Sequence, residues 1–378
     1  MKICIVRAGE SLDAVARRFS TSAEILAHAN ALSDPHRAAP GLALVCPGGT
    51  ARPLREAVVN AYAPAALPLR VLAEQTPHLS LLSSWCAGMT AEGGLAAPED
   101  AALVAAARSA GAAPLLSIAN YGEGGGFSPS LAHVVLSDGA MQEALLSRIL
   151  ALVGEHGYRG VSLNLVRLYP FDREAYNAFV RRAAARLHER GLILITALAP
   201  KAEEDQGGLL YAAHDYAVHG EVADRVVLMA YDQGHRYSEP RPLAPLGDVR
   251  RVLDYAVRRI PRGKILLGLS HYACNWTLPW REGGEASRLS NTAAANLAVA
   301  AGAEIRYDEC AAAAHFRYCD AAGLSHEVWF EDARSLRAKM ALVEEYGLGG
   351  LSYWTAEAMG YAALLAQGER FTAVKGLS

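Results

Sequence analysis

Apolar and polar positions follow two regular patterns along most of the chain. Short apolar runs, typical of buried strands, alternate with segments whose apolar residues recur three and four positions apart, as in helices. Because strands that alternate with helices form parallel sheets, this part of the chain is predicted to be an α/β domain. The predicted strands are 58–62, 79–85, 113–121, 160–166, 192–199, 225–232, 264–272 and 350–354.

The number of strand and helix repeats predicts the architecture. Eight repeats over roughly 320 residues fit a TIM (β/α)8 barrel. An open doubly wound sheet is the alternative, but it would need a glycine-rich phosphate loop after an early strand. The glycine cluster GEGGGF is followed by neither G-K-[ST] nor G-x-G-x-x-G, the usual phosphate-binding sequences. The barrel is therefore favoured.

The segment between the seventh strand and the helix before the eighth is too long for a simple connection. It contains one helical pattern and short strand patterns such as AEIRYD, HFRYCD and SHEVWF. We therefore predict a small α+β insertion at residues 273–330. On a barrel, an insertion at this place lies on the face that carries active sites and forms one wall of a groove.

The first residues form a separate pattern of strand, helix, helix and strand. The four segments are KICIV, SLDAVARRFS, SAEILAHAN and PGLALVCP, and Ser11 is the predicted N-cap of the first helix. The predicted organisation is an N-terminal βααβ unit at residues 1–48, followed by the barrel at residues 54–378.

Composition narrows the possible partners. Of the 378 residues, 52% are hydrophobic, which is enough for a large core, and the net charge of -3 gives no reason to expect nucleic acid. We see no apolar run of about 18 residues that would span a membrane. The N-terminus lacks a signal-peptide pattern, so synthesis in the cytoplasm is expected. The cysteines form no C-x-x-C pair, and His133, His235 and His271 lack metal spacing, so no metal is expected.

The N-terminal unit resembles a LysM domain. The resemblance rests on AGESL, Asn30, Leu32 and PGLALVCP, and covers the whole unit. It implies binding of N-acetylglucosamine-containing glycans in a groove between the first turn and the segment after the second helix. The alternative is that these residues only cap a helix and form turns in a small domain, without binding a glycan. The implied groove residues are Gly9, Glu10, Ser11, Leu32, Ser33 and Asp34.

The remainder of the chain resembles glycoside hydrolase family 18, and more narrowly its LysM-bearing spore-germination N-acetylglucosaminidases. The segments that carry the resemblance include NYGEGGGFSPSLAHVVLSD, GYRGVSLNL, VVLMAYDQGH, HEVWFEDARSL and YGLGGLSYW, in family order. The resemblance implies a barrel, a peptidoglycan or chitin-like glycan as partner, no cofactor, and deposition on a spore.

The family's catalytic pair is absent from its expected place. The resemblance implies a Glu at the end of strand 4 that protonates the leaving oxygen and an Asp two residues earlier that orients the substrate's acetamido group. Aligned from Gly160, the Asp falls on Asn164 and the Glu on Val166. The two-residue alternation of a strand independently turns Ser162, Asn164 and Val166 towards the barrel axis. Valine cannot donate a proton.

Other family positions are retained. Met229, Tyr231 and Asp232 match the motif that closes strand 6, and Trp354 matches the aromatic floor under the sugar. An aromatic ring packs on the apolar face of a pyranose, so these residues preserve glycan binding without hydrolysis. The alternative is that Tyr231 and Trp354 are barrel-core aromatics.

Three functional hypotheses follow. The leading one is a barrel that binds glycan and has lost hydrolytic activity. The second is an active N-acetylglucosaminidase with a relocated acid, for which Asp232 is the best candidate. The third is a structural spore-coat component. Further candidates for a relocated acid are Glu123, Glu331, Asp332 and Glu357.

Overall fold

The computed structural model describes residues 2–46, 55–122 and 125–377. Eight parallel strands form a closed barrel, because the eighth strand pairs with both the seventh and the first. All eight strands predicted from the sequence are confirmed. The barrel strands, numbered 1 to 8 in chain order, are Arg55–Pro64, Leu81–Met89, Ala113–Ala119, Gly160–Asn164, Ile193–Leu198, Arg225–Leu228, Ile265–Ser270 and Gly350–Trp354.

Helices surround the barrel in the order that the sequence pattern indicates. The longest ends at Gly157, whose φ of +74° is the left-handed conformation that glycine adopts at helix C-termini, and the chain then enters strand 4. These helices are Leu69–Gln75, Ala101–Ser109, Pro129–Ser137, Gly139–His156, Arg173–His188, Tyr216–Val222, Leu246–Ala256, Ala333–Glu345 and Tyr361–Arg370.

Several predicted strands end earlier than the sequence pattern suggested, and two of these differences bear on the site. Strand 4 was expected to reach Val166, but its last paired residue is Asn164, opposite Ala119 of strand 3. Strand 6 was expected to reach Asp232, but it ends at Leu228. In both places the apolar or family pattern continues beyond the last backbone pairing of the sheet. The residues that follow therefore lie in loops at the C-terminal rim.

The α+β insertion between strands 7 and 8 is confirmed. It contains a five-stranded antiparallel sheet and one helix, Asn291–Ala301, and it begins at Tyr272. Its strands, in spatial order, are Ser287–Ser290, Tyr272–Leu278, Ser325–Phe330, Ala313–Cys319 and Arg306–Asp308.

The N-terminal βααβ unit also forms as predicted. Its strands Lys2–Ile5 and Ala43–Cys46 pair antiparallel, and its helices are Leu12–Arg18 and Ala23–Ala29. The Ser11 hydroxyl accepts a hydrogen bond from the Ala14 amide at 3.2 Å, which is the expected N-cap. The predicted unit boundaries at residues 48 and 54 lie outside the described residues.

The N-terminal unit shares one hydrophobic core with the insertion. Leu12, Leu26 and Leu44 of the unit belong to the same buried apolar cluster as Phe316 and Phe330 of the insertion sheet. The Ile305 amide also donates to the Pro40 carbonyl at 2.8 Å. The unit is therefore packed against the insertion.

Candidate functional site

The centre of the barrel, beside strand 4, contains a neutral hydrogen-bond network. The Asn164 side-chain nitrogen donates to the Ser117 hydroxyl at 2.6 Å and to the Ser162 hydroxyl at 3.0 Å. The hydroxyls of Ser162 and Tyr62 are 3.0 Å apart. Val161 and Leu163 pack in the outer core instead, so strand 4 has the expected alternation. Among the described residues, these hydrogen bonds join hydroxyl and amide groups only.

The main chain at Val166 is held by a neighbouring side chain. The Asn120 amide group accepts a hydrogen bond from the Val166 N–H at 3.0 Å and donates to the Val166 carbonyl at 2.9 Å. One residue earlier, the Leu165 carbonyl accepts a hydrogen bond from Nε2 of buried His214 at 3.0 Å. The start of the loop after strand 4 is thus fixed, although the buried side chain at Val166 is an isopropyl group.

Tyr231 packs against the inward side of strand 7, because Gly268 faces the same way as Leu266 of the inner core. Its ring packs so closely on Gly268 that a Cβ atom there would lie 2.9 Å from Tyr231 Cε1. Burial raises the pKa of the Tyr231 hydroxyl well above its ordinary value, so the group stays protonated and can donate a hydrogen bond. Met229, two residues earlier, contacts both the inner and the outer core of the barrel.

Asp232 has the unusual environment expected of a functional carboxylate. Asp232 is exposed to solvent at the rim and has a φ of +68°, and the neighbouring protein atoms partly desolvate its carboxyl group. This desolvation raises the pKa of Asp232 to about 6, and the positive charge of Arg288 opposes the shift. The Arg288 guanidinium lies 4.6 Å from the centre of the Tyr272 ring, on the insertion. Asp232 therefore faces the insertion at the rim of the barrel.

Aromatic side chains cover the C-terminal rim. The Trp354 ring lies 4.8 Å from the Trp85 ring at 90° and 5.4 Å from the Tyr62 ring. Trp85 also contacts Tyr121 and Phe127, at 6.5 Å and 6.2 Å between ring centres. Trp354 is half-buried and packs against the apolar cluster of the insertion, which thus forms one wall of the site.

Our interpretation of the sequence missed three of these rim residues, Trp85, Tyr121 and Phe127. The signal that could have found the first two is the one that identified Trp354. Trp85 and Tyr121 each stand at the last position of a predicted strand, at 79–85 and 113–121. Aromatic residues at that position point towards the C-terminal face of a barrel.

The other acidic candidates are placed less favourably than Asp232. Glu331 is buried in an ion pair with Lys339. Asp332 caps the helix Ala333–Glu345 and pairs with Arg334 at 2.7 Å. Glu357 is exposed in a short 3-10 turn, and Glu123 lies outside the described residues.

Most of the residues predicted for a LysM groove are engaged within the protein. Glu10 accepts a hydrogen bond from the Arg7 amide at 3.0 Å and pairs with Arg18 at 2.9 Å. Ser11 caps its helix, and Asp34 accepts a hydrogen bond from the His36 amide. Gly9 is exposed, with a φ of +74°.

The other side of that groove contacts the insertion. Leu32 is half-buried against the shared core, and Ser33 donates through both its amide and its hydroxyl to the Asn296 side chain, at 2.8 Å and 3.0 Å. Asn296 in turn donates to the Ala31 carbonyl at 2.9 Å. The insertion helix thus stands against one edge of the predicted LysM groove.

Two further features bear on possible partners. Within the described ranges, no group of three or more His, Cys, Asp or Glu side chains is arranged to hold a metal ion. None of the helices in the part of the chain that the structure describes combines the length and apolarity needed to cross a bilayer.

Comparisons with known proteins agree with this architecture. The chain is 40% identical over 282 residues to the cortical fragment-lytic enzyme of Bacillus subtilis, a match that spans 74% of this chain and 65% of the relative. The solved structure of the Bacillus megaterium spore cortex-lytic enzyme SleL is 33% identical, with a TM-score of 0.81, and the match covers 99% of this chain and 87% of that one. A Chromobacterium violaceum chitinase structure is 26% identical, with a TM-score of 0.77, over 82% and 98% of the two chains.

Family models give the assignment directly. The model for the LysM domain matches residues 4–47. The model for glycosyl hydrolases family 18 matches residues 99–358, which is more than half of the chain. This protein therefore belongs to glycoside hydrolase family 18 and has an N-terminal LysM domain.

Proposed function

We propose that the barrel binds a glycan that contains N-acetylglucosamine and does not hydrolyse it. The observation that carries the proposal is the neutral network at the end of strand 4, with Asn164 and Val166 at the positions of the family's carboxylates. A general acid typically contributes about 10²–10⁴-fold to such a reaction. Without a proton donor at 166, and without a charge at 164 to stabilise the reacting acetamido group, hydrolysis by the family mechanism is not expected.

The rim supports binding. Trp354 and Trp85 offer half-buried aromatic rings, on which the apolar face of a pyranose can pack. The Tyr231 hydroxyl is protonated and can donate to an acetamido carbonyl, while the carboxyl of Asp232 can accept from sugar hydroxyls. Because one named relative is a cortical fragment-lytic enzyme and another is a spore cortex-lytic enzyme, we place the glycan in spore cortex peptidoglycan, with chitin-like oligomers as analogues, and the protein at the spore.

Binding and cleavage can be measured on the same sample. Wild-type protein is incubated with N-acetylglucosamine oligomers and with cortex fragments, and binding is followed by calorimetry while reducing ends are counted. We expect binding, recovery of intact oligomers, and weaker binding by Trp354→Ala because the aromatic floor is lost. Release of reducing ends by the wild type would contradict loss of hydrolysis, and absence of binding would contradict the glycan site.

One observation favours the second candidate function, an active N-acetylglucosaminidase. A carboxyl group whose pKa is raised to about 6 is partly protonated near neutral pH, as a general acid must be. If the wild type cleaves the oligomers, Asp232→Asn tests whether Asp232 is the general acid. Loss of that cleavage would assign the acid to Asp232, whereas unchanged cleavage would exclude it.

The double variant Asn164→Asp, Val166→Glu tests whether only the carboxylates are missing. We expect hydrolysis at least about 100-fold above the wild-type rate, because the backbone at 166 and the aromatic floor are already in place. Reducing-end release is measured beside oligomer affinity, with Val166→Leu as the control that keeps an apolar side chain.

We also expect the double variant to be less stable. It adds two carboxylates to a buried network without an added cation, and an unpaired buried polar group typically costs about 1–3 kcal/mol. Urea unfolding measures this cost. A folded double variant that binds the oligomers without cleaving them would contradict the expectation and would indicate that other parts of the site have also changed.

A further inference from the structure

A second aromatic surface lies on the loop that leaves strand 4. Phe171 is 70% exposed, and its ring stacks on Tyr169 with 5.1 Å between ring centres and 17° between planes. His133 packs edge-on against both, at 5.3 Å from Phe171 and 5.9 Å from Tyr169. We call these three residues the aromatic platform. It presents an aromatic ring directly to solvent, which is unusual for phenylalanine.

Local hydrogen bonds hold the platform in place. Phe171 lies in the short 3-10 turn Pro170–Asp172, and the Asp172 amide donates to the Tyr169 carbonyl at 3.0 Å. The Asp172 carboxylate is only 3% exposed and lies 2.7 Å from Nδ1 of His133. The rings are therefore positioned before any ligand arrives, which reduces the entropy that binding must overcome.

The platform and the proposed glycan site share two loops. The loop after strand 4 carries Val166 at its start and Phe171 near its end. The loop after strand 3 carries Asn120, which holds the Val166 backbone, and Ser128, which bonds Asn120 through its amide at 2.8 Å. Ser128 also caps the helix that bears His133. The platform therefore lies on the same two loops that border the end of strand 4.

We propose that the aromatic platform is a further sugar-binding subsite, which takes one pyranose ring of the same glycan beyond the central site. This rests on the proposed function. Phe171 offers an aromatic face to the apolar face of the sugar. Nδ1 of His133 is taken by Asp172, which leaves Nε2 of this half-exposed side chain for a sugar hydroxyl or acetamido group.

The size of the platform favours a sugar over a protein partner. A stable protein interface buries roughly 1,200–2,000 Å² in total. Around Phe171, the neighbouring positions Arg167, Pro170 and Glu174 are exposed, and two of these three side chains are charged. One exposed ring with a polar margin matches a single pyranose, which presents an apolar face and a polar edge.

The test is the dependence of affinity on glycan length. Calorimetry with N-acetylglucosamine oligomers from the disaccharide to the hexasaccharide compares the wild type, Phe171→Ala, Trp354→Ala and Leu324→Ala. We expect Phe171→Ala to weaken binding of long oligomers by about two- to tenfold and to leave the disaccharide unchanged. Leu324, an exposed apolar residue in the turn between the strands Ala313–Cys319 and Ser325–Phe330, is the control, and its variant should behave as wild type.

Each contrary outcome has a distinct meaning. Equal affinities of wild type and Phe171→Ala for every length, with Trp354→Ala weakened throughout, would overturn the platform and keep the central site. A change in oligomeric state on Phe171→Ala, without a change in glycan affinity, would assign the platform to a protein contact instead. Wild-type protein that binds no oligomer at all would overturn the proposed function and the platform together.

Discussion

Deletion of residues 1–46 is expected to leave a chain that does not fold into a stable, soluble protein. The deletion removes about half of the residues of the hydrophobic core shared with the insertion and uncovers buried apolar residues at the contact itself, such as Val299 and Ile305. Each such side chain contributes about 1.5–3 kcal/mol when buried, so these two alone contribute roughly 3–6 kcal/mol. This is a large part of the whole stability of a typical domain, about 5–15 kcal/mol.

Urea unfolding followed by circular dichroism, together with size-exclusion chromatography, measures this effect. The matched control is Asn296→Ala in the full chain, which removes the hydrogen bonds to Ser33 and Ala31 but leaves the apolar contact in place. We expect the control to remain soluble and to lose about 1–3 kcal/mol. A truncated chain that is monomeric and unfolds at the wild-type urea concentration would contradict the shared core.

The free energy of unfolding is expected to fall steeply as the pH drops below 6.5. His214 and His219 are buried beside Tyr176, and burial lowers their pKa values from 6.5 to about 4 and about 3. Within the described residues, neither ring nitrogen of His219 has a hydrogen-bond partner. The unfolded chain binds protons near pH 6.5 and the folded chain does not, so stability is complete above that pH and is lost as the pH falls towards 4.

The expected slope is up to about 1.4 kcal/mol per pH unit for each of the two imidazoles. Nearby charges modify it: Asp215 raises the pKa of His219, and Lys201 lowers that of His214. Urea unfolding at a series of pH values measures the slope. His219→Leu should flatten it, whereas His28→Ala, at an exposed position, should leave it unchanged. An equal slope in wild type and His219→Leu would refute this assignment.

The barrel could be predicted from the sequence because the apolar pattern of each strand and helix lies within its own segment. Each strand is an apolar run and each helix has its own periodicity, and these features do not depend on distant partners. The same is true of the Ser11 cap. Asn164 was placed towards the barrel axis by two-residue alternation, and its hydrogen bonds with Ser117 and Ser162 agree with that placement.

The docking of the N-terminal unit could not be predicted in the same way. The helix Asn291–Ala301 buries Ala294, Ala298 and Val299, and such a pattern indicates that one face is covered without indicating what covers it. The contact of Asn296 with Ser33 joins residues 263 positions apart. Contacts of this kind depend on the assembled surfaces, which a pattern in one segment does not encode.

The early end of strand 4 could not be predicted from the local apolar pattern either. Leu165 and Val166 continue the apolar run, so the pattern alone extends the strand. The end is set instead by the Asn120 side chain, which forms both hydrogen bonds with the Val166 backbone, and by Arg167, whose φ is +58°. The roles of the site residues themselves remain predictions that the experiments above address.

The two hydrogen bonds that the Asn120 side chain forms with the Val166 backbone have an evolutionary consequence. Because a side chain from a neighbouring loop fixes the main chain at position 166, the shape of the loop does not depend on which side chain position 166 carries. Mutations there can change the chemistry of the site while the backbone keeps its shape, although an unpaired buried carboxylate still lowers the stability of the fold. An exchange between an acidic and an apolar residue at this position therefore does not require the loop to be rebuilt.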